Sequence, residues 1–206
     1  MRHPMYEQVR PIFLAMLLIV IIIYSIYEQQ IKKSIITDLM NNPRIEYVDR
    51  IVYLPDLTVP QLLPIILARQ PRLDPMVALI IANHVIEAGE RKRVSALVIL
   101  AIIEVESNYN QMAVSKKGAI GLMQIMESWI GSKEAKDLGI TDKMHLYQIK
   151  PNIELGTAIL CKLCRDYKTT KDALAYYFGS KEVDRYYDTV MKTVGEMVMT
   201  MSFGKP

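Results

Sequence analysis

Two carboxylates stand out in an otherwise apolar run. Between Ser95 and Ser107 the chain reads SALVILAIIEVES, so Glu104 and Glu106 are the acids that a buried helix would have to carry. At ~100° per residue the two point to nearly opposite faces, so they do not form a paired-carboxylate site. Glu106 falls at the end of the run, where exposed helix carbonyls and an apolar environment both disfavour a negative charge and raise the pKa. A carboxyl that keeps its proton near neutral pH is what a general acid for glycoside cleavage requires. Position alone would also suit a solvated acid at a helix end. Glu104 reads as a surface or hydrogen-bonded structural residue.

The stretch that follows adds small and amide-bearing residues at close spacing: Glu106-Ser107-Asn108-Tyr109-Asn110, then Ala113-Val114-Ser115-Lys116-Lys117-Gly118-Ala119-Ile120-Gly121-Leu122-Met123-Gln124-Ile125-Met126. Gly118 and Gly121 let the backbone come close to a bulky ligand. The hydroxyl of Ser115 and the amide of Gln124 can each donate and accept, which suits sugar hydroxyls and acetamides. Read blandly, Ser115 is a turn residue, Gln124 a helix-surface residue and Met126 core. Further on come Asn152-Ile153-Glu154-Leu155-Gly156 with Leu160, and Ala173-Leu174-Ala175-Tyr176-Tyr177-Phe178-Gly179.

Taken together, these segments resemble the soluble-type (SLT) lytic transglycosylases over roughly Met76 to Tyr187. That family carries a Glu-Ser pair, an Ala-Val-Ser, a Gly-Ala-x-Gly-Leu-Met-Gln block, an Asn-Ile segment and a late Tyr-Asn-x-Gly element. The resemblance implies a lysozyme-like helical fold with Glu106 as the sole catalytic carboxyl. It also implies that Ser115 and Gln124 contact the sugar and its N-acetyl groups, that Met126 lines the cleft, and that the hydroxyl of Tyr177 reaches toward the acid. A shift by one residue would make Tyr176 the match instead. The sequence departs from the family at Phe178, where the family has Asn, and at Glu127, where it has Pro.

The implied reaction is non-hydrolytic cleavage of the MurNAc-GlcNAc β-1,4 bond of peptidoglycan, leaving a 1,6-anhydro ring. A muramidase hydrolase is the alternative enzyme, with Glu127, Asp137 or Asp142 as its second acid, since hydrolases place two carboxyls ~5 Å or ~6.5–9.5 Å apart. A third reading is a membrane-tethered assembly protein that retains the fold without activity, because a fold alone does not prove catalysis.

Other residue types offer less. Cys161 and Cys164 sit inside a helical stretch without a second ligand pair, so they read as packing residues rather than a zinc or redox site. His3, His84 and His145 have no metal-ligand spacing, and neither a metal nor a cofactor is expected. Trp129 suits core filling better than sugar stacking.

The elements that must position Glu106 are helical. Asp74 caps a helix with Pro75 at its first position, running to about Ala88, with Gly89 as its stop signal and Glu90 to Arg93 as a charged turn. Ser95 caps the central buried helix, Ala96 to about Glu106. Helices are expected at Leu122 to about Ile130, Ile153 to Tyr167, Lys171 to Phe178 and Val183 to Thr200. The expected fold class is therefore all-α, with a domain over 73–206.

Ahead of it the composition changes. Residues 1–10 form a short tail. Residues 11–27, PIFLAMLLIVIIIYSIY, contain no charge and read as an uncleaved transmembrane helix, a little short against the ~20 residues of a full span. Tyr-Ser-Ile-Tyr after the apolar core makes a poor signal-peptidase site. The short leading tail favours an outward, periplasmic domain, although Arg2 and Arg10 balance Lys32 and Lys33. Residues 28–72 read as a stalk: Ile45 to Leu54 suits a short strand or extended segment, and Pro55, Pro60, Pro64, Pro71 and Pro75 suggest an extended arm. The expected partners are peptidoglycan strands, a lipid bilayer through 11–27, and a secretion or virion assembly. A virion membrane is the alternative location. A net charge of +3 without a basic aromatic stretch gives no reason to expect nucleic acid.

Overall fold

The structure, a computed structural model, describes residues 22, 25, 26, 29, 30, 57–167, 169–179 and 183–203. The chain divides into two compact units, Met1–Ile45 and Glu46–Pro206. In the first unit the described residues, Ile22, Ser25, Ile26, Gln29 and Gln30, are all helical. The expected span at 11–27 and strand near 45–54 therefore fall almost wholly outside the described residues. Among the described residues no helix is long and apolar enough to cross a membrane.

The second unit contains helices α1 (Val59–Arg69), α2 (Pro75–Lys92), α3 (Ala96–Ser107), α4 (Lys133–Asp137), α5 (Ile149–Asp166), α6 (Thr170–Phe178) and α7 (Val183–Phe203). Two-residue strands β1 (Ala119–Ile120) and β2 (Ile125–Met126) pair antiparallel, Ala119 with Met126 and Ile120 with Ile125. Single 3-10 turns cover Glu127–Gly131 and Lys143–Tyr147. At the centre runs α3, whose residues Ala96 to Ile103 are all buried. α2 and α7 pack on it, α5 packs on α2, and α6 bridges α5 and α7.

The extended arm predicted from the proline spacing is corrected at its C-terminal end, where α1 forms. Pro60 sits in the first turn, where its missing N–H would have no intrahelical partner anyway. Gln61 Oε1 accepts from both the backbone N–H (2.8 Å) and hydroxyl (2.9 Å) of Thr58, fixing the start. Pro64 lies inside the helix at a cost of ~3 kcal/mol. Leu62, Ile65 and Ile66 are each at most 1% exposed. Burying each side chain is worth ~1.5–3 kcal/mol, so the three together outweigh the proline. Apolar residues at i, i+3 and i+4 decided this segment, not the prolines between them.

Two boundaries also move. Gly89 does not stop its helix: α2 continues to Lys92 and ends at Arg93 in the left-handed region (φ 56°). Glycine is needed because the next segment folds back closely; a Cβ there would lie 2.7 Å from the carbonyl oxygen of Val94. The helix expected over Leu122–Ile130 is replaced by the β1–β2 ribbon and a 3-10 turn, so the all-α expectation holds except at this hairpin. Positive φ angles at Gly121 (80°) and Gln124 (49°) break any helix there. The start of α2 is as expected, with Asp74 Oδ1 accepting from the N–H of Met76 at 2.7 Å.

Candidate active site

Glu106 lies in the last turn of α3, half-buried. Its Oε1 accepts a 2.6 Å hydrogen bond from the hydroxyl of Tyr186 on α7. Burial raises the carboxyl above its ordinary 4.5, and the Tyr186 bond, which favours the carboxylate, offsets part of that rise. A phenol is a weak, neutral donor, so the acid has a partner that orients it without stabilising its charge as a cation would.

Tyr186 is the site residue that sequence reasoning missed. The available signal was its place on the buried stripe of α7, with Val190, Thr193 and Met197 at helical spacing, all at most 7% exposed. A phenol at the first position of such a stripe brings a hydroxyl into the core, where it needs a partner.

Tyr177 behaves differently from what was expected of it. Its hydroxyl donates to the carbonyl oxygen of Met123 at 2.9 Å, tying α6 to the hairpin. Burial first, then the nearby charge of Glu106, push this hydroxyl well above its usual pKa. Tyr177 thus stands beside the acid and braces the loop, while the direct bond comes from Tyr186. Tyr176 faces outward, 62% exposed, and stacks on Tyr167 with ring centroids 4.1 Å apart.

The hairpin carries the other candidate residues. Ser115 takes the bland role of a turn residue as well: its Oγ accepts from the N–H of Ala119 at 3.0 Å, which leaves its own hydroxyl proton to donate. Gln124 is not on a helix surface. Its Nε2 donates to the carbonyls of Ala113 (3.2 Å) and Gly121 (3.0 Å), so its Oε1 is the end left for a donor such as an acetamide N–H or sugar hydroxyl. Met126 is not core, being 40% exposed at the end of β2.

One side chain holds this loop together. Asn152, 1% exposed, accepts from the N–H of Met123 at 2.8 Å. Its Nδ2 donates to the carbonyls of Ile120 (3.0 Å) and Leu146 (2.6 Å). Buried loop backbone must find partners somewhere, and here one amide supplies three. Gly121 makes room for it: a Cβ there would lie 2.2 Å from Asn152 Nδ2.

The chain just after Glu106 is tightly wound. Asn108 (φ 49°) and Tyr109 (φ 64°) are both left-handed, which costs a non-glycine residue ~1 kcal/mol or more. That reversal brings the Tyr109 hydroxyl back to Glu104 Oε2 at 3.0 Å. Glu104 is the structural carboxylate expected, held by Arg69 through two 2.5 Å bonds from Nε and Nη2. Beside it, an open recess of about 660 Å³ is lined by Gln70, Arg72, Asn108, Tyr109, Asn110 and Gln111; Glu106 does not line it.

The three candidate second acids have these surroundings. Asp137 pairs with Lys133 at 2.5 Å. Asp142 caps a 3-10 turn by accepting from the N–H of Met144 at 2.6 Å, and Glu127 is exposed at the start of the other. Cys161 and Cys164 are free and half-buried. Burial pushes the Cys164 thiol up to about 11, which fits packing rather than reactivity. Trp129 packs partly buried against the core. Among the described residues no group of three or more His, Cys, Asp or Glu could hold a metal ion.

With this geometry in place, the comparisons with known proteins are specific. The model of the family described as "Transglycosylase SLT domain" matches residues 83–196, more than half of the chain. Membrane-bound lytic murein transglycosylase C of Edwardsiella ictaluri is 38% identical over 87 residues, covering 39% of this chain and 23% of that protein. The Photorhabdus laumondii protein of the same name is 28% identical over 130 residues, 57% of this chain and 36% of the relative. Endo-type membrane-bound lytic murein transglycosylase A of Citrobacter koseri is 40% identical over 77 residues, 36% of this chain and 38% of the relative. The chain thus spans about a quarter to two-fifths of the length of these curated relatives.

Proposed function

We propose, starting from the fact that this chain belongs to the transglycosylase SLT domain family, that it is a peptidoglycan lytic transglycosylase with Glu106 as its one catalytic carboxyl. The observation that carries this reading is the environment of Glu106. It is a half-buried acid whose pKa is raised by burial and whose hydrogen bond comes from the neutral Tyr186 hydroxyl. Such a group holds a proton to give to the glycosidic oxygen as the MurNAc-GlcNAc bond breaks. The carboxylate it becomes then takes the proton of the muramic acid C6 hydroxyl, whose oxygen closes the 1,6-anhydro ring. One group serves both steps, and no water is consumed. The engagement of Asp137 and Asp142 elsewhere favours this course over a hydrolase, which needs a second carboxyl.

Ser115, Gln124 and Met126 are the substrate contacts in this reading. The hydroxyl of Ser115 and the free carbonyl end of Gln124 face donors and acceptors of the sugar, and Met126 offers exposed apolar surface. Tyr177 supports the loop from behind. Residues 11–27 anchor the chain in a bilayer, with the domain on the periplasmic side or at a virion membrane. The relatives are named as membrane-bound enzymes, which agrees with a membrane association. Local wall opening during turnover, secretion or phage entry is the use that such a tether serves.

The deciding experiment treats purified peptidoglycan with the full chain and with Glu106→Gln, and reads the products by mass spectrometry. Anhydromuropeptides made only by the unsubstituted chain are expected. Reducing-end products would replace this reading with a hydrolase, and no release from folded protein would replace it with a tethered assembly protein. Separately, a domain protected from protease in sealed inside-out vesicles would support the periplasmic orientation, and a digested one would reverse it.

A further inference from the structure

Three side chains from three helices stand in line. Phe178 is the last residue of α6, Tyr186 lies in the first turns of α7, and Glu106 lies in the last turn of α3. The ring of Phe178 covers that of Tyr186, with centroids 4.4 Å apart and planes 13° from parallel. The hydroxyl of Tyr186 reaches Glu106 Oε1 at 2.6 Å. Tyr186 is 4% exposed, while Phe178, its cover, is 43% exposed. Gly179 (φ 62°) ends α6 directly after Phe178.

We propose that Phe178 is a positioning residue: by stacking on Tyr186 it holds the phenol hydroxyl on Glu106 and so sets both the orientation and the proton affinity of the acid. This deepens the functional reading above and rests on it for its kinetic consequence. The physical case starts with the freedom a phenol has. Tyr186 swings about two torsions, and packing of α7 on α3 restrains it from one side. A near-parallel aromatic ring on the exposed side removes the remaining swing and keeps water off the hydrogen bond. An Asn at position 178, as the family resemblance would have it, could offer a polar group but no flat surface. This chain therefore restrains its acid through a stack at the place where the family resemblance would put an amide.

The consequence for the proton is directional. A hydroxyl donating to Glu106 favours the carboxylate, so loosening Tyr186 lets the pKa of the acid rise further. Tyr186 from α7 acts on Glu106 through its hydrogen bond, and the charge of Glu106 in turn raises the hydroxyl of Tyr177 from α6. On its own helix the neighbouring charge, Glu104, is neutralised by Arg69.

The test compares Phe178→Leu and Phe178→Met, which keep apolar cover without a flat ring, with Phe178→Tyr and Phe178→Trp, which keep the ring. In the full chain, the Glu106 midpoint is read from carboxyl carbon-13 NMR, assigned with Glu106→Gln. Product release is measured against pH. Leu and Met should raise the midpoint, move the basic limb of the rate profile with it, and lower kcat roughly three- to tenfold with KM unchanged. Tyr and Trp should restore all three. An unchanged midpoint and kcat in the folded Leu or Met variant would overturn the proposal, whatever happens to its Tm. So would a change in KM alone, which would place Phe178 against substrate. If the unsubstituted chain releases no product, the functional reading falls, and the NMR midpoint still decides whether the stack tunes Glu106.

Discussion

Glu104 and Glu106 share one helix and stand two residues apart, yet the protein treats them in opposite ways. Glu104 receives two bonds from Arg69, which also binds Glu196 of α7 at 2.7 Å, and a third from Tyr109. That guanidinium ties α1 to α3 and α7. Glu106, on the other face, has a neutral phenol as its partner, and burial raises its pKa. The same residue type is a fastener on one face and, in the reading proposed above, a proton donor on the other. What differs is the partner each face supplies, a cation for Glu104 and a neutral hydroxyl for Glu106.

The contrast can be broken from either side. The largest effect should come from Glu106→Gln, which removes the proposed proton donor and should cut muropeptide release by roughly 10²- to 10⁴-fold in a folded protein. On the opposite face, Arg69→Ala should leave the per-molecule rate nearly unchanged. It should destabilise the fold by about 2 kcal/mol, seen as a drop of roughly 4–8 °C in Tm, because a part-buried carboxylate loses its cation. A loss of kcat matching that of Glu106→Gln would erase the distinction between the two faces. Tyr186→Phe should act on the Glu106 face alone, lowering kcat roughly tenfold and shifting the basic limb of the rate profile upward.

The smallest effect is on stability against pH. The folded pKa of Glu106 lies above its unfolded value, so the folded state binds more protons between the two. Stability from this group is complete below about 4.5 and is lost as pH rises through the folded pKa. Glu106→Gln should therefore match the parent in denaturant titrations at roughly pH 4 and exceed it at roughly pH 8. A constant gap at both values would contradict the raised pKa.

Much of this was legible in the residues because the responsible forces are local. The apolar run Ala96 to Ile103 could only be a buried helix, and Asp74-Pro75 could only begin one. The two acids at its end were separable by angle alone. What stayed hidden depends on contacts distant in sequence. Nothing near Pro60 and Pro64 announces that Leu62, Ile65 and Ile66 will find a core to fill, and that burial overrides the prolines. The segment from Leu122 to about Ile130 reads as helix because its Leu-Met-Gln-Ile-Met composition is helix-friendly, yet it holds half of the hairpin. Its actual shape is imposed by Asn152, 29 residues beyond Met123. Tyr186 was missed for a like reason: it lies 80 residues from the carboxyl it serves.

That dependence on Asn152 has a bearing on when the protein becomes able to act. Helices close their bonds among near neighbours, whereas the hairpin borrows its key donor and acceptor from α5 and must wait for that helix to dock. A nascent or partly opened chain thus holds its helices before it holds a shaped cleft. If the domain acts as proposed above, completion of the fold is itself the last step of its activation.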